Sequence, residues 1–255
     1  MSQKETAFLI HVWYEDVFFN KIAPFVIQHA NDVDIYINFV NGKTHPAFIE
    51  ETQEKFPNAT ITFSENPGRD IRGYMNMLSC IYEKGITYKN YVFIHTKTQI
   101  DSFGQRCLHS LLTHTIGSKE TLNASLALIN QTNYGMSGSH EFLTKGFWTE
   151  EEKIKTFNVL KRLDVKTRDV TFIAGTMFIV RASIIDKYLR KPGAIEMFSA
   201  DFVEDGIKHS GWHHAWERVF GTLVIEEGLE IFPCDNTKIH SFINQTYVPT
   251  DTLQN

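Results

Sequence analysis

The chain has 255 residues, of which 42% are apolar and 22% are charged. This balance excludes a disordered or fibrous chain and supplies enough apolar material for the core of one α/β domain. Lys and Arg number 25 against 30 Asp and Glu, which gives a net charge of −5 at pH 7. General DNA and RNA binders usually carry a basic excess, so nucleic acid is not an expected partner.

The three cysteines, Cys80, Cys107 and Cys234, are widely spaced and form no CxxC pair. Neither a disulfide framework nor a cysteine zinc site is therefore expected. The first residues lack the form of a signal peptide, and every apolar run is shorter than the ~20 residues that span a bilayer. We expect a soluble cytoplasmic protein, which could still sit at the inner face of a membrane beside a lipid-linked substrate.

The first part of the chain alternates between strand and helix patterns. Buried-strand runs cover residues 7–14, 33–40, 59–64 and 90–95, and helical patterns cover 17–29, 46–56 and 69–83. This alternation predicts a parallel sheet with helices on both faces. Ligands of such sheets bind at the carboxyl ends of the strands, so the loops after residues 14, 40, 64 and 95 are the informative ones.

The remaining pattern predicts two helices within 102–130, separated at Gly117, and a helix over 149–163 with Thr149 as its N-cap. Residues 171–181 (TFIAGTMFIVR) predict one strand, in which Gly175 permits a close backbone approach. A last helix is predicted over 213–223. No repeat or linker interrupts the chain, so one domain over 1–255 is expected.

The segment Ser64–Gly73 (SENPGRDIRG) places a Pro-Gly turn between a strand and a helix start. The free N–H groups of a helix start attract anions, and Arg69 and Arg72 add positive charge. Asp70 could accept a hydrogen bond from a ribose or sugar hydroxyl. The alternative is a plain turn, in which an Arg–Asp pair only caps the helix.

A second polar segment, His95, Thr96 and Lys97, follows the buried strand 90–95. A lysine and a small hydroxyl at a strand end suit a diphosphate leaving group. An ordinary strand exit with a solvated lysine gives the same pattern, so this segment is weak evidence by itself.

The third candidate is the helix HHAWERVF, in which His214, Glu217 and Arg218 share a face. A carboxylate between a histidine and an arginine could act as a general base, although a solvated polar face has the same spacing. His209, His213 and Glu217 are each four residues apart, which leaves a metal site open. Gly211 interrupts that spacing, and HExxH is absent.

Several motifs are missing from the chain. It has no GxxxxGK[ST] phosphate loop, no GxGxxG after the first strand and no GxSxG elbow. The common nucleotide hydrolases, dehydrogenases and α/β-hydrolases are therefore disfavoured.

Taken in order, NPGRDIRGY, YVFIHTKT, AGTMFIVR and HAWERVFG resemble the rhamnan synthesis protein F family, over about residues 66–221. The resemblance implies a GT-A-like fold with a mostly parallel central sheet flanked by helices. It also implies a glycosyltransferase of polysaccharide assembly, associated with rhamnosyl transfer onto cell-wall or O-antigen glycans. Residues 1–100 would then be the nucleotide-sugar half, and 101–255 the acceptor and catalytic half.

The resemblance also implies site residues, carried over by position. These are Asn66, Gly68, Arg69, Asp70, His95, Thr96, Lys97, Arg106, Gly175, Thr176, His214, Glu217 and Arg218. Gln105 stands where the family has Trp, which departs from the pattern before Arg106. Many GT-A enzymes hold a metal through Asp-x-Asp after the fourth strand, where this chain has His95-Thr96-Lys97. We therefore expect cationic side chains in place of a divalent metal, and no other cofactor.

The leading hypothesis is an inverting glycosyltransferase that uses a nucleotide-diphosphate sugar and a glycan or lipid-linked saccharide acceptor. The nucleobase of the donor would stack on Trp13 or Tyr14. The diphosphate would face Arg69, Lys97 and Arg106. Glu217 or Asp205 would take the proton from the hydroxyl of the acceptor. Two alternatives stay open: an inert glycan- or nucleotide-binding module of the same fold, and a metal-dependent hydrolase that uses the 209–217 cluster.

Overall fold

The computed structural model describes residues 4–65, 69–98, 101–205 and 211–235. Within these, seven strands form the main sheet, in the order β3-β2-β1-β4-β8-β5-β9. Their bounds are β1 Thr6–Val12, β2 Asp34–Val40, β3 Thr60–Ser64, β4 Asn90–His95, β5 Tyr134–Ser139, β8 Phe178–Arg181 and β9 Glu230–Cys234. A separate antiparallel pair consists of β6 Leu143–Lys145 and β7 Thr171–Ile173.

The sheet is mostly parallel. The pairs β1–β2, β2–β3, β1–β4 and β5–β9 are parallel, whereas β8 is antiparallel to both of its neighbours, β4 and β5. Every residue of β1 and β4 is buried, so helices cover both faces of the sheet centre. The predicted α/β class and the mostly parallel sheet flanked by helices are confirmed.

The helices connect these strands. Their bounds are α1 Glu15–Val17, α2 Ala23–His29, α3 Pro46–Lys55, α4 Arg69–Glu83, α5 Ser102–Ile116, α6 Lys119–Gln131, α7 Glu150–Arg162, α8 Ala182–Leu189, α9 Ala194–Asp205 and α10 Trp212–Glu226. A π-helical segment, Phe18–Ile22, joins α1 to α2, and a 3₁₀ turn, His140–Phe142, follows β5. None of the helices in the described ranges is long and apolar enough to cross a bilayer.

Helix starts follow the capping residues in the sequence. Asp101 accepts from the Gly104 N–H at the start of α5, and Ser118 accepts from the Thr121 N–H at the start of α6. At the start of α7, Thr149 and Glu152 form the reciprocal bonds of a capping box. The helix predicted over 149–163 is confirmed on this basis.

The single strand predicted over 171–181 is wrong. The segment forms two strands in different sheets, β7 and β8, joined by a turn at residues 174–177. Gly175 and Thr176 have φ values of +89° and +48°, which end the extended conformation. The apolar run is continuous because both strands are buried, so its composition does not reveal the turn.

Candidate functional site

A cavity of about 530 Å³ opens at the carboxyl ends of β1 and β4. The chain passes from β1 to β2 on one side, and β4 lies on the other, so this is the point where strand order reverses. Open α/β sheets bind ligands at such a point, and the volume falls in the usual range for small-molecule sites. The lining residues are His11, Trp13, Tyr14, Arg69, Asp70, Ile71, His95, Thr96, Lys97, Thr98, Asp101, Phe103, Gly104, Cys107, Gly175, Thr176, His213, His214 and Glu217.

Thr96 joins the two strand ends that form the cavity. Its hydroxyl oxygen accepts from the backbone N–H groups of Trp13 at 2.9 Å and Tyr14 at 3.0 Å, and its own N–H donates to the His11 carbonyl. The side chain is buried. Thr96 therefore fixes the loop that carries the two aromatic rings, Trp13 and Tyr14.

Asp70, His95 and Thr176 form a cluster in the cavity wall, in which His95 and Thr176 are buried and Asp70 is partly buried. The Thr176 hydroxyl donates to Asp70 Oδ2, and His95 Nε2 lies 3.9 Å from the same oxygen. Burial alone would raise the pKa of Asp70, but His95, the Thr176 hydroxyl, His11 and Lys97 outweigh it and hold this pKa at about 2. Asp70 is therefore a fixed negative charge at neutral pH.

His95 ties β4 to the 174–177 turn. Its Nε2 lies 2.8 Å from the Gly175 carbonyl oxygen, and its Nδ1 lies 3.0 Å from the Thr96 carbonyl oxygen. A neutral imidazole has one N–H and can donate to only one of these oxygens. Burial lowers the pKa of His95, while Asp70 and the two carbonyls oppose that shift. His95 therefore lies between two carbonyl oxygens, and its neutral form donates to one of them.

The turn that contains Gly175 and Thr176 is anchored by side chains from three elements. Glu217 on α10 accepts from the Gly175 N–H through Oε1, and Tyr74 on α4 donates to the Thr176 carbonyl at 3.1 Å. His95 on β4 reaches the Gly175 carbonyl. The φ of +89° at Gly175 disfavours a side chain here, and a Cβ would also lie 2.8 Å from a Leu111 methyl carbon.

The two carboxylate oxygens of Glu217 have different surroundings. Its Oε2 is buried, has no hydrogen-bond partner and lies 3.6 Å from His214 Nδ1 and 3.8 Å from Arg218 Nη1. Both Glu217 and His214 line the cavity. A buried carboxylate oxygen without a hydrogen-bond donor is costly, and the nearby Arg218 guanidinium offsets part of that cost.

His11 lines the cavity and contacts Asn38, and the sequence pattern singled out neither residue. They are register partners on β1 and β2, and His11 is also the register partner of His95 on β4. Asn38 Nδ2 donates to His11 Nδ1 at 3.1 Å, and the Asn38 Oδ1 accepts from Thr62 and Asn76. This bond leaves the proton of neutral His11 on Nε2. Burial lowers the pKa of His11 to about 4, so His11 is neutral at pH 7.

Two cations and three helix starts face the same cavity. Arg69 and Lys97 line it, as do residues in the first turns of α4, α5 and α10. Helix amino ends and basic side chains both favour an anion. Asp101 already caps α5, whereas no side chain caps α10, whose N-cap is Gly211. Arg69, Lys97 and the start of α10 are therefore the features that favour an anion, in a cavity that Asp70, Asp101 and Glu217 also line.

Arg218 does not line the cavity, which corrects its predicted role as a ligand contact. Its side chain is fully buried, and Nη2 donates to Glu152 Oε2 at 2.9 Å. It also donates to the carbonyls of His214 and Gly146. The guanidinium lies against the Trp148 ring at 4.6 Å. Arg218 therefore anchors α10 to the 146–149 loop and the start of α7.

The other predicted site residues divide into three groups. Trp13, Tyr14, Arg69, Asp70, His95, Thr96, Lys97, Gly175, Thr176, His214 and Glu217 all line the cavity. Arg106 is exposed on α5 and does not line it. Asn66, Gly68 and the Asp205 side chain lie outside the described residues.

The metal alternative rested on His209, His213 and Glu217. His209 lies outside the described residues, while His213 and Glu217 both line the cavity. The described ranges contain no group of three or more His, Cys, Asp or Glu side chains placed to hold a metal ion. Independence from metal stays a prediction.

Comparison of the sequence with protein-family models finds no matching family, and a search of curated proteins finds no match. The resemblance to the rhamnan synthesis protein F family therefore rests on the four motifs alone.

Proposed function

We propose that the protein is a glycosyltransferase that moves a sugar from a nucleotide-diphosphate donor to a saccharide acceptor. The observation that carries this proposal is that Arg69, Lys97 and the Glu217 carboxylate line the same cavity. Arg69 and Lys97 could bind a diphosphate, and the Glu217 Oε2 could take a proton from a hydroxyl. A transferase of this kind needs both functions in one site.

The strand order supports a nucleotide donor. The half β3-β2-β1-β4 has the order of a mononucleotide-binding unit, and the cavity opens between β1 and β4. Trp13 and Tyr14 offer aromatic surfaces for a base at the end of β1. Within this proposal the domain is GT-A-like, and the four motifs of the resemblance supply residues to its cavity.

The reaction follows from this placement. The acceptor hydroxyl oxygen attacks the anomeric carbon and forms the new glycosidic bond, while the bond from that carbon to the diphosphate oxygen breaks. The diphosphate keeps the electron pair, and Arg69 and Lys97 stabilise its charge. Glu217 accepts the hydroxyl proton through Oε2. A single displacement of this kind inverts the anomeric configuration.

His214 and Gly175 would position the base. The Gly175 N–H holds one oxygen of Glu217, and His214 Nδ1 lies close to the other.

We propose rhamnose as the first sugar to test, and a cell-surface glycan or lipid-linked saccharide at the inner face of the membrane as the acceptor. These finer points rest on the four-motif resemblance.

A two-stage measurement tests the proposal. A thermal-shift screen against UDP-, GDP-, dTDP- and CMP-sugars should identify a donor that raises the melting temperature, because a ligand that binds only the folded state stabilises it. Release of the nucleoside diphosphate from that donor should then be measured with and without saccharide acceptors. Binding with no release under any condition would favour the inert binding module, and no binding at all would overturn the nucleotide assignment.

A further inference from the structure

Trp148 is a large aromatic side chain that lies beside the cavity yet is 60% exposed. It lies in the loop between β6 and α7, and its ring meets the ring of His214 edge-on at 6.4 Å between centroids. His214 lines the cavity, next to Glu217. The indole therefore borders the side of the cavity where the proposed base lies.

The position of Trp148 is fixed by buried groups. The Arg218 guanidinium lies 4.6 Å from the centroid of the Trp148 ring. The backbone N–H of Trp148 donates to Glu152 Oε2 at 3.1 Å. The same Glu152 oxygen accepts from Arg218, whose side chain is fully buried. Phe147, the preceding residue, packs against Phe157 of α7. One part of the indole is thus packed, and the rest is presented to solvent in a defined orientation.

We propose that Trp148 is a stacking platform for a pyranose ring of the saccharide acceptor. A pyranose has an apolar C–H face that a flat, rigid indole can cover, and a preorganised ring loses little entropy on binding. A saccharide stacked on Trp148 extends over His214 towards the Glu217 Oε2. That the saccharide is the acceptor rests on the proposed function. Saccharide binding at Trp148 does not depend on it.

The test uses methyl glycosides of glucose, galactose, mannose and rhamnose at millimolar concentration, with saturation-transfer NMR on the full chain. At least one glycoside should receive saturation on its ring C–H protons from the wild type. Trp148→Ala should reduce that signal at least tenfold, and Trp148→Phe should keep part of it. Ile154→Ala is the matched control, because Ile154 is 61% exposed on α7 and should leave the signal unchanged.

Loss of the indole in Trp148→Ala could expose Arg218 and unfold the chain. Trp148→Leu is a second variant that tests the inference in that case. Leucine covers the guanidinium but offers no flat face, so the folded variant should lose the signal as Trp148→Ala does. A glycoside signal in Trp148→Leu equal to that of the wild type, or no glycoside signal in the wild type, overturns the inference.

A thermal shift with nucleotide sugars on the same variants separates this inference from the proposed function. Nucleotide binding without any Trp148-dependent glycoside signal defeats only the stacking platform. Trp148-dependent glycoside binding without any nucleotide binding supports the platform and defeats the glycosyltransferase proposal.

Discussion

Gly175 donates its backbone N–H to Glu217, a residue 42 positions later in the chain. The bond joins the left-handed turn after β7 to the middle of α10, and the second Glu217 oxygen is buried without a hydrogen-bond partner. The same turn is held from the other side by His95 and Asp70, through the Gly175 carbonyl and the Thr176 hydroxyl. The predicted base, Glu217, thus belongs to the same set of contacts as His95, Thr176 and Asp70.

Arg69→Ala and Lys97→Ala should each weaken the binding of a nucleoside diphosphate. Both cations line the cavity, and a hydrogen bond to a charged group contributes about 1.5–3 kcal/mol, which is roughly a 10- to 150-fold change in affinity. Calorimetry measures the loss. Lys84→Ala is the control, since Lys84 is exposed just beyond the opposite end of α4 from Arg69. Wild-type affinity in both cavity variants would place the diphosphate elsewhere.

Donor binding should survive EDTA. The chain places Thr96 and Lys97 after β4, where many GT-A enzymes carry an acidic metal-binding motif, and the Lys97 ammonium supplies positive charge without a metal. The measurement is a donor titration in EDTA and again in excess Mn²⁺. Binding that disappears in EDTA and returns with Mn²⁺ would contradict this prediction.

The first half of the fold could be predicted because the hydrophobic pattern of each segment there matches the strand or helix that the segment forms in the folded protein. The strand predicted over 90–95 coincides with β4, and the helix predicted over 69–83 coincides with α4. β5, with the sequence YGMSGS, was not predicted because its glycines have low strand propensity and its apolar residues are few. Its strand conformation depends on pairing with β8 and β9.

The candidate site could be predicted where polar residues follow a strand, and not where they lie inside one. His95, Thr96 and Lys97 stand out at the end of an apolar run, whereas His11 and Asn38 lie within buried strands. Only the parallel register brings His11 and Asn38 into contact. Arg218 was misassigned because helical spacing places it near Glu217 but does not show that a buried Glu152 lies opposite.

His11 should make stability depend on pH below neutrality. Its pKa is lowered from 6.5 to about 4 in the folded state, so the unfolded chain binds more protons between these values. The contribution of His11 is therefore complete above pH 6.5 and is lost as the pH falls towards 4, by about 3 kcal/mol. Asp70, with its pKa near 2, loses its contribution only below pH 3.8.

The measurement for His11 is the free energy of unfolding by urea at several pH values between 7 and 4. His11→Asn keeps an acceptor for Asn38 but does not titrate, so its pH slope should be shallower than that of the wild type. His109→Asn removes an exposed histidine and should keep the wild-type slope. Equal slopes in all three proteins would show that His11 is not the buried neutral group described above.

Arg218→Met should destabilise the fold by about 3–5 kcal/mol, because it leaves the buried Glu152 carboxylate without its cation. Adding Glu152→Gln should recover part of that loss, since the glutamine is neutral and can still accept from the Thr149 N–H. The control is Lys153→Met, which breaks an exposed pair with Glu150 and should cost under about 1 kcal/mol. Additive losses in the double variant, measured by urea unfolding, would contradict a coupled buried pair.

Glu217→Gln tests the proposed base most directly. The glutamine Oε1 can still accept from the Gly175 N–H, so the turn and the phosphate-binding side chains should keep their places. Its amide cannot take a proton, so kcat should fall by at least ~10² while donor affinity changes little. His214→Ala should reduce kcat less, because His214 lies near the Glu217 Oε2 and positions it but does not accept the proton itself.

Asp205→Asn is the matched comparison at the end of α9. A normal rate in Glu217→Gln together with an inactive Asp205→Asn would move the base to Asp205, and normal rates in both would favour a site that binds its ligands without reacting them.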